Sequence, residues 1–151
     1  MKHFTEFKPG KSLVFKKKKD GFSTLCSDNI FTLDTETSTY YKYPSGWGAF
    51  DYTKPPEYYS ENEKINVLYI WQMSIDGIAY YGRTLDELKE FLNTLRAAYK
   101  GRLFVYVHNF SYEFQYLRNI LEFSEVFARK PRKPIYARTA TGFDFRCSYF
   151  L

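Results

Sequence analysis

Asp34 and Glu36 are the side chains whose type and spacing could do chemistry. They lie in the run Asn29-Ile30-Phe31-Thr32-Leu33-Asp34-Thr35-Glu36-Thr37, rich in β-branched and aromatic residues and alternating like a strand. Side chains two apart on a strand share a face, so Asp34 and Glu36 point one way while Leu33 and Thr35 point the other. Two carboxylates that close repel each other, so one pKa must rise or a cation must neutralise both. Mg²⁺ or Mn²⁺, hard ions that prefer oxygen ligands, suit such a pair. A surface strand with two solvated acids would read the same way, and the rest of the chain has to decide.

The neighbouring sequence supplies elements that would hold this strand. Val67 to Ile75 reads as a second strand, Asp76-Gly77 as a hairpin turn, and Ile78 to Gly82 as the returning third strand. Thr84 with Glu87 forms a capping box for a helix in which Leu85, Leu88, Phe91, Leu92 and Leu95 recur at helical spacing, with Gly101 closing it. Leu103 to Val107 is a short apolar run, the fourth strand. His108-Asn109 follows, with Asn109 as the expected N-cap of a helix carrying Tyr112, Glu113, Tyr116, Leu117 and Ile120. Glu113 falls in its first turns, where the macrodipole favours a carboxylate. A crossover helix makes the fourth strand parallel to one of the others. If that neighbour is the first strand, Asp34 and Glu36 meet Glu113 at the strand ends, where open α/β sheets collect ligands.

Other stretches are less regular. Lys11 to Phe15 reads as a short strand, Lys16 to Lys19 as a solvated basic loop, and Asp20-Gly21 as a turn. Ser38 to Lys64, full of Tyr, Gly and Pro, reads as one long loop that could wall the site. Glu125 to Arg129 and Pro134 to Arg138 look like strands around Lys130-Pro131-Arg132-Lys133, and Phe143 to Cys147 like another.

Composition bounds the answer. The chain has 151 residues, 26% charged and 44% hydrophobic, which is one globular domain rather than a disordered chain. No apolar run is long enough to span a membrane and the opening residues do not form a signal peptide, so the expected setting is cytoplasmic. Cys26 and Cys147 have no ligand-like spacing and are expected to be reduced thiols. A net charge of +5 favours an anionic partner. Tyr and Phe number 15 each, and aromatics reach 21%. A core of this size cannot hold them all, and exposed aromatics beside cations are what single-stranded nucleic acid binding needs.

Phe31-Thr32-Leu33-Asp34-Thr35-Glu36-Thr37 resembles the first motif of DEDD-type 3′–5′ proofreading exonucleases. Tyr106-Val107-His108-Asn109-Phe110-Ser111-Tyr112-Glu113-Phe114 resembles their second motif, in the form found in protein-primed family B DNA polymerases of bacteriophages and linear plasmids. Phe145-Arg146-Cys147-Ser148-Tyr149 is also similar to a segment of that group. The resemblance implies an α/β fold: a ribonuclease H-like mixed sheet, an antiparallel three-strand meander plus a parallel strand, with flanking helices. It implies an N-terminal extension over residues 1–28 and a partial exonuclease domain over 29–151. By the same resemblance Asp34, Glu36 and Glu113 hold two Mg²⁺ or Mn²⁺ ions and are catalytic. Glu113 stands where Asp is usual, and its extra bond of about 1.5 Å still lets it reach a metal. Thr37, Tyr106, His108, Asn109, Tyr112 and Tyr116 match positions that hold the single-stranded DNA 3′ end.

The implied reaction is hydrolysis of the terminal phosphodiester, releasing deoxynucleoside monophosphates during proofreading. The implied partners are the rest of the polymerase and a terminal priming protein, in a bacterial host's cytoplasm. The third motif, Tyr-x-x-x-Asp, does not occur in the closing segment, so the expectation is a domain cut short at its C-terminus, weak or inactive alone. Rival readings are a non-catalytic single-strand-binding module, a Tyr-rich partner-binding protein, and a ribonuclease H-like nuclease acting on RNA.

Overall fold

A computed structural model describes residues 1–19, 21–61, 63–130 and 133–148. Asp20 of the expected turn, Pro131 and Arg132 of the basic stretch, and Tyr149 of the closing motif lie outside the described residues. In chain order the elements are β1 (Lys2–His3), a 3₁₀ turn (Phe4–Glu6), β2 (Val14–Lys19), β3 (Phe22–Ser27), β4 (Phe31–Tyr43) and β5 (Gly46–Gly48). Then come α1 (Pro56–Glu61), β6 (Lys64–Ile75), β7 (Ile78–Gly82), α2 (Leu85–Ala98), β8 (Leu103–Val107) and α3 (Phe110–Leu117). Strands β9 (Phe123–Lys130), β10 (Lys133–Thr139) and β11 (Phe143–Cys147) follow. The fold is α/β, with one large mixed sheet and a few helices.

The main sheet runs β1-β7-β6-β4-β8-β11-β10-β9, with β5 folded back on β4, and β2–β3 form a separate ribbon. Strands β4, β6 and β7 make an antiparallel meander, turned at Asp76-Gly77 as its sequence requires. After α2 the chain returns as β8, parallel to β4 on its other side, and β11 is parallel to β8.

Strand alternation divides the sheet into two unlike faces. Phe31 and Leu33 of β4, Trp71 and Met73 of β6, Val105 and Val107 of β8 and Phe145 of β11 are all buried on one face. Helix α2 lies there and buries Leu88, Phe91, Leu92 and Leu95. Trp71 anchors that packing. Its ring stacks on Phe91 at 5.5 Å, and its Nε1–H donates to Thr84 O at 2.8 Å. Gly82 is required beside it, because a Cβ there would stand 2.3 Å from Trp71 Cζ2. Helix α3 covers the next part of the same face, with Phe110 stacked on Phe145. The N-terminal residues join this core, since Phe4 packs on Trp71 and Phe91.

Several expectations need correction. Ser38 to Lys64 is not a loop. Strand β4 continues to Tyr43, paired with a β6 that begins at Lys64, and β5 and α1 fill the interval. Thr and Tyr favour extended backbone; of the Gly and Pro that obscured this, Pro44 falls in the turn, Gly46 and Gly48 bound the short β5, and Pro56 opens α1. The Lys run is not a loop either, but most of β2, paired residue for residue with β3. Val14 to Lys18 are all exposed, and a strand with no buried side needs no apolar alternation, so charge alone misled. Helix α3 ends at Leu117, and Ile120 sits in the turn after it.

Candidate functional site

Pairing of β8 with β4 covers only Phe31 to Leu33. From Asp34 to Tyr40 that edge of β4 has no partner strand, until β5 pairs with Tyr41 to Tyr43, and the chain turns out of β8 through His108 and Asn109 into α3. Asn109 does this in the left-handed region, at φ 53°, a conformation Asn tolerates better than most residues. Its side chain makes no cap to the helix, contrary to the expectation, and instead accepts the Ser111 hydroxyl at 3.0 Å.

The vacated edge is where the acidic residues meet. Thr35 N–H donates to Asp34 Oδ1 at 3.0 Å, and the Thr35 hydroxyl donates to Glu113 Oε1 at 3.2 Å. Thr35 therefore stands between the two carboxylates. Glu113 is only 3% exposed, and its Oε2 has no hydrogen-bond partner. Burial pushes its pKa up to about 7, against the opposing pull of the Thr35 hydroxyl, and the charge of Asp34 adds to the rise.

The expected convergence of three carboxylates takes a different form. Thr35 and Thr37 face α3, so Glu113 approaches from the helix-bearing side. Asp34 and Glu36 are exposed and alternate toward the opposite, open face. Asp34 reaches Glu113 through its charge and through Thr35, around the strand edge rather than across one surface. Among the described residues, no three His, Cys, Asp or Glu side chains stand close enough together to hold a metal.

The residues matched to the single-strand contacts divide in the same way. Thr37 Oγ1 and Tyr112 OH are 3.1 Å apart, and the Tyr112 and Tyr116 rings lie 6.5 Å apart. Burial raises the Tyr116 hydroxyl pKa, and neighbouring Tyr112 adds to it. Tyr106 is half-buried on the open face, paired across from Thr32. His108 and Asn109 are exposed at the strand–helix turn between the two groups.

Two features escaped the sequence reading. Thr35 was visible only as a spacer between Asp34 and Glu36, although its N–H holds Asp34 and its hydroxyl holds Glu113. Asp144 was passed over inside the apolar run of β11. It is fully buried, and its Oδ2 takes Arg138 Nε–H at 2.9 Å and an Arg146 N–H at 3.2 Å. A carboxylate between two phenylalanines in a buried strand was the signal, since such a group needs paired cations. Comparison with protein-family models, with curated proteins and with solved structures returns no match to this chain.

Proposed function

We propose that the chain carries the first two motifs of a ribonuclease H-like 3′–5′ exonuclease domain, of the proofreading kind in protein-primed DNA polymerases. In this reading it binds divalent metal and the 3′ end of single-stranded DNA. The observation that carries it is the buried, half-satisfied carboxylate of Glu113, joined through Thr35 to the strand that bears Asp34 and Glu36. An antiparallel meander flanked by a parallel strand, reached through a helix, supports this reading.

Two oxygen donors, Glu113 and Asp34, would contribute to holding a hard cation, with Asp34 approaching around the strand edge and Glu36 turned away. Glu113 Oε2 lacks a partner, Asp34 lies near enough for its charge to be felt, and both are oxygen ligands. Divalent ions held there would supply an activated water and neutralise charge on the leaving 3′ oxygen. The chain's own residues prepare that work. Thr35 fixes the rotamers of Asp34 and Glu113, the low polarity around Glu113 keeps its proton exchangeable near neutrality, and Thr37 with Tyr112 and Tyr116 offers a hydroxyl and two rings to a terminal nucleotide. A second reading, a non-catalytic single-strand-binding module, is favoured by one fact: Glu36 projects into solvent rather than toward Glu113.

Titration with Mn²⁺, followed by electron paramagnetic resonance, separates the two. The expected result is that Asp34→Asn and Glu113→Gln each weaken Mn²⁺ binding at least tenfold, and that Mn²⁺ tightens binding of a single strand with a free 3′ hydroxyl over one blocked by a 3′ phosphate. Unchanged Mn²⁺ affinity in both variants would sink the exonuclease reading in favour of the module.

A further inference from the structure

The open face of the sheet carries a row of side chains that the carboxylate site does not use. Phe127 of β9 pairs with Tyr136 of β10, Tyr136 with Arg146 of β11, Arg146 with Tyr106 of β8, and Tyr106 with Thr32 of β4. Directly paired residues project from the same face, so these form one line across five strands, about 19 Å at the usual strand spacing. The line ends two residues from Asp34. Its members touch: the Phe127 and Tyr136 rings stack at 5.3 Å, and the Arg146 guanidinium lies 5.7 Å from the Tyr136 centroid and 5.3 Å from that of Phe104.

The β2–β3 ribbon stands over this face. Its base is tied to the start of β8, where Ser27 N–H donates to Arg102 O at 2.9 Å and Arg102 N–H to Leu25 O at 2.8 Å. Gly101 permits the approach, since a Cβ there would meet Cys26 C at 3.0 Å in an already left-handed backbone. Between ribbon and sheet lie two adjoining cavities of about 590 and 440 Å³, which share Lys17, Phe104 and Arg146 in their walls. Lys16, Lys17, Lys18, Arg102, Arg138 and Arg146 line them. Among the described residues, the carboxylates that answer these cations are fewer: Asp28 in the wall, Asp144 beneath it and Glu125 beside Arg138. Phe15 in the wall and Phe127 at the row's outer end are both nearly half exposed.

We propose that this trough, roofed by the lysine ribbon and floored by Phe104, Tyr106 and Arg146, with Tyr136 and Phe127 continuing the same face beyond it, binds a single-stranded polynucleotide. The lysines would take its phosphates, and Phe15, Phe104, Tyr106 and Phe127 its unstacked bases, while Tyr136 is held between Phe127 and the Arg138 guanidinium. A duplex hides the base faces such a floor would stack on, whereas an unpaired strand presents both faces and phosphates. The proposal rests on the nucleic-acid part of the preceding reading and adds a path for the strand behind its 3′ end. It does not depend on metal.

Fluorescence anisotropy with a 5′-fluorescein thymidine 16-mer in EDTA tests it on the full chain. Lys16→Ser/Lys17→Ser/Lys18→Ser is compared with a charge-matched control, Lys54→Ser/Lys89→Ser/Lys100→Ser, on other exposed surfaces. The ribbon variant is expected to bind at least tenfold more weakly than the control at 50 mM salt, with the log–log salt slope shallower by about 2. Phe15→Ala/Phe127→Ala is expected to lose about tenfold at every salt concentration with an unchanged slope. A uridine 16-mer reports the preference for sugar, and tight binding of either strand supports the trough. Equal binding by the ribbon variant and its control would overturn it, as would an abasic 16-mer binding as tightly as thymidine. Because EDTA is present throughout, failure here leaves the Mn²⁺ result standing, and the reverse also holds.

Discussion

The two faces of the sheet use the same strands for opposite ends. On the helix-bearing face, Phe31, Leu33, Trp71, Met73, Val105 and Val107 exclude water and hold α2 and α3 in place. On the open face, the residues between them are Thr32, Asp34, Gln72, Ser74, Phe104 and Tyr106, polar or half-buried aromatic. One residue separates the two sets along each strand. The lesson is that buried apolar and accessible polar side chains are interleaved at single-residue spacing here, and Glu113 runs against it: a carboxylate placed on the packing side.

That contrast can be broken most forcefully at Trp71. Trp71→Ala should cost about 3–5 kcal/mol, because it removes a fully buried ring that α2 packs upon. Chemical denaturation should show a lower midpoint with the slope unchanged.

Glu113 sharpens the contrast through pH. Its folded pKa of about 7 lies above that of an unfolded glutamate, so the folded state holds the proton more tightly. The stability it contributes is fully present below about pH 4.5 and is lost as pH rises through about 7. Glu113→Gln should remove this dependence and leave the protein of order 2 kcal/mol more stable than the parent at pH 8. Melting curves between pH 5 and 8 would show it. Parallel pH profiles for the two proteins would mean that water already satisfies the carboxylate.

The smallest effect should come from the open face. Thr32 and Ser74 share a hydrogen bond across β4 and β6 in a solvated position. Thr32→Ala should shift stability by under about 1 kcal/mol in denaturant titrations. A larger loss would mean that the open face is covered more firmly than the lysine ribbon implies.

Much of the scaffold was legible because its signals are local. Asp76-Gly77 dictates its hairpin, Thr84 its helix start, and the run Leu103 to Val107 a buried strand. The site was only half legible. Sequence shows that Asp34 and Glu36 share a face, but which face α3 covers depends on where β8 stops, and no residue announces that. The expected strand over Lys11 to Phe15 meets β2 only at Val14 and Phe15, and the rest was hidden because a run of exposed lysines carries no periodicity. Asn109 looked like a cap because its composition fits caps and left-handed turns alike.

One irregularity in the meander has a consequence of its own. Between Glu36 and Thr37 the partner in β6 steps from Ile70 to Leu68, leaving Tyr69 as a surplus residue. The step returns Leu68 to the packed side, three positions from Trp71. It works like a slip joint between the rigid body of the sheet and the arm of Tyr40, Tyr41 and Tyr43. Insertions or deletions beyond it could lengthen or shorten that arm while every residue from Ile70 to Ile75 kept its orientation, so the arm is where this architecture can change its reach without disturbing its foundations.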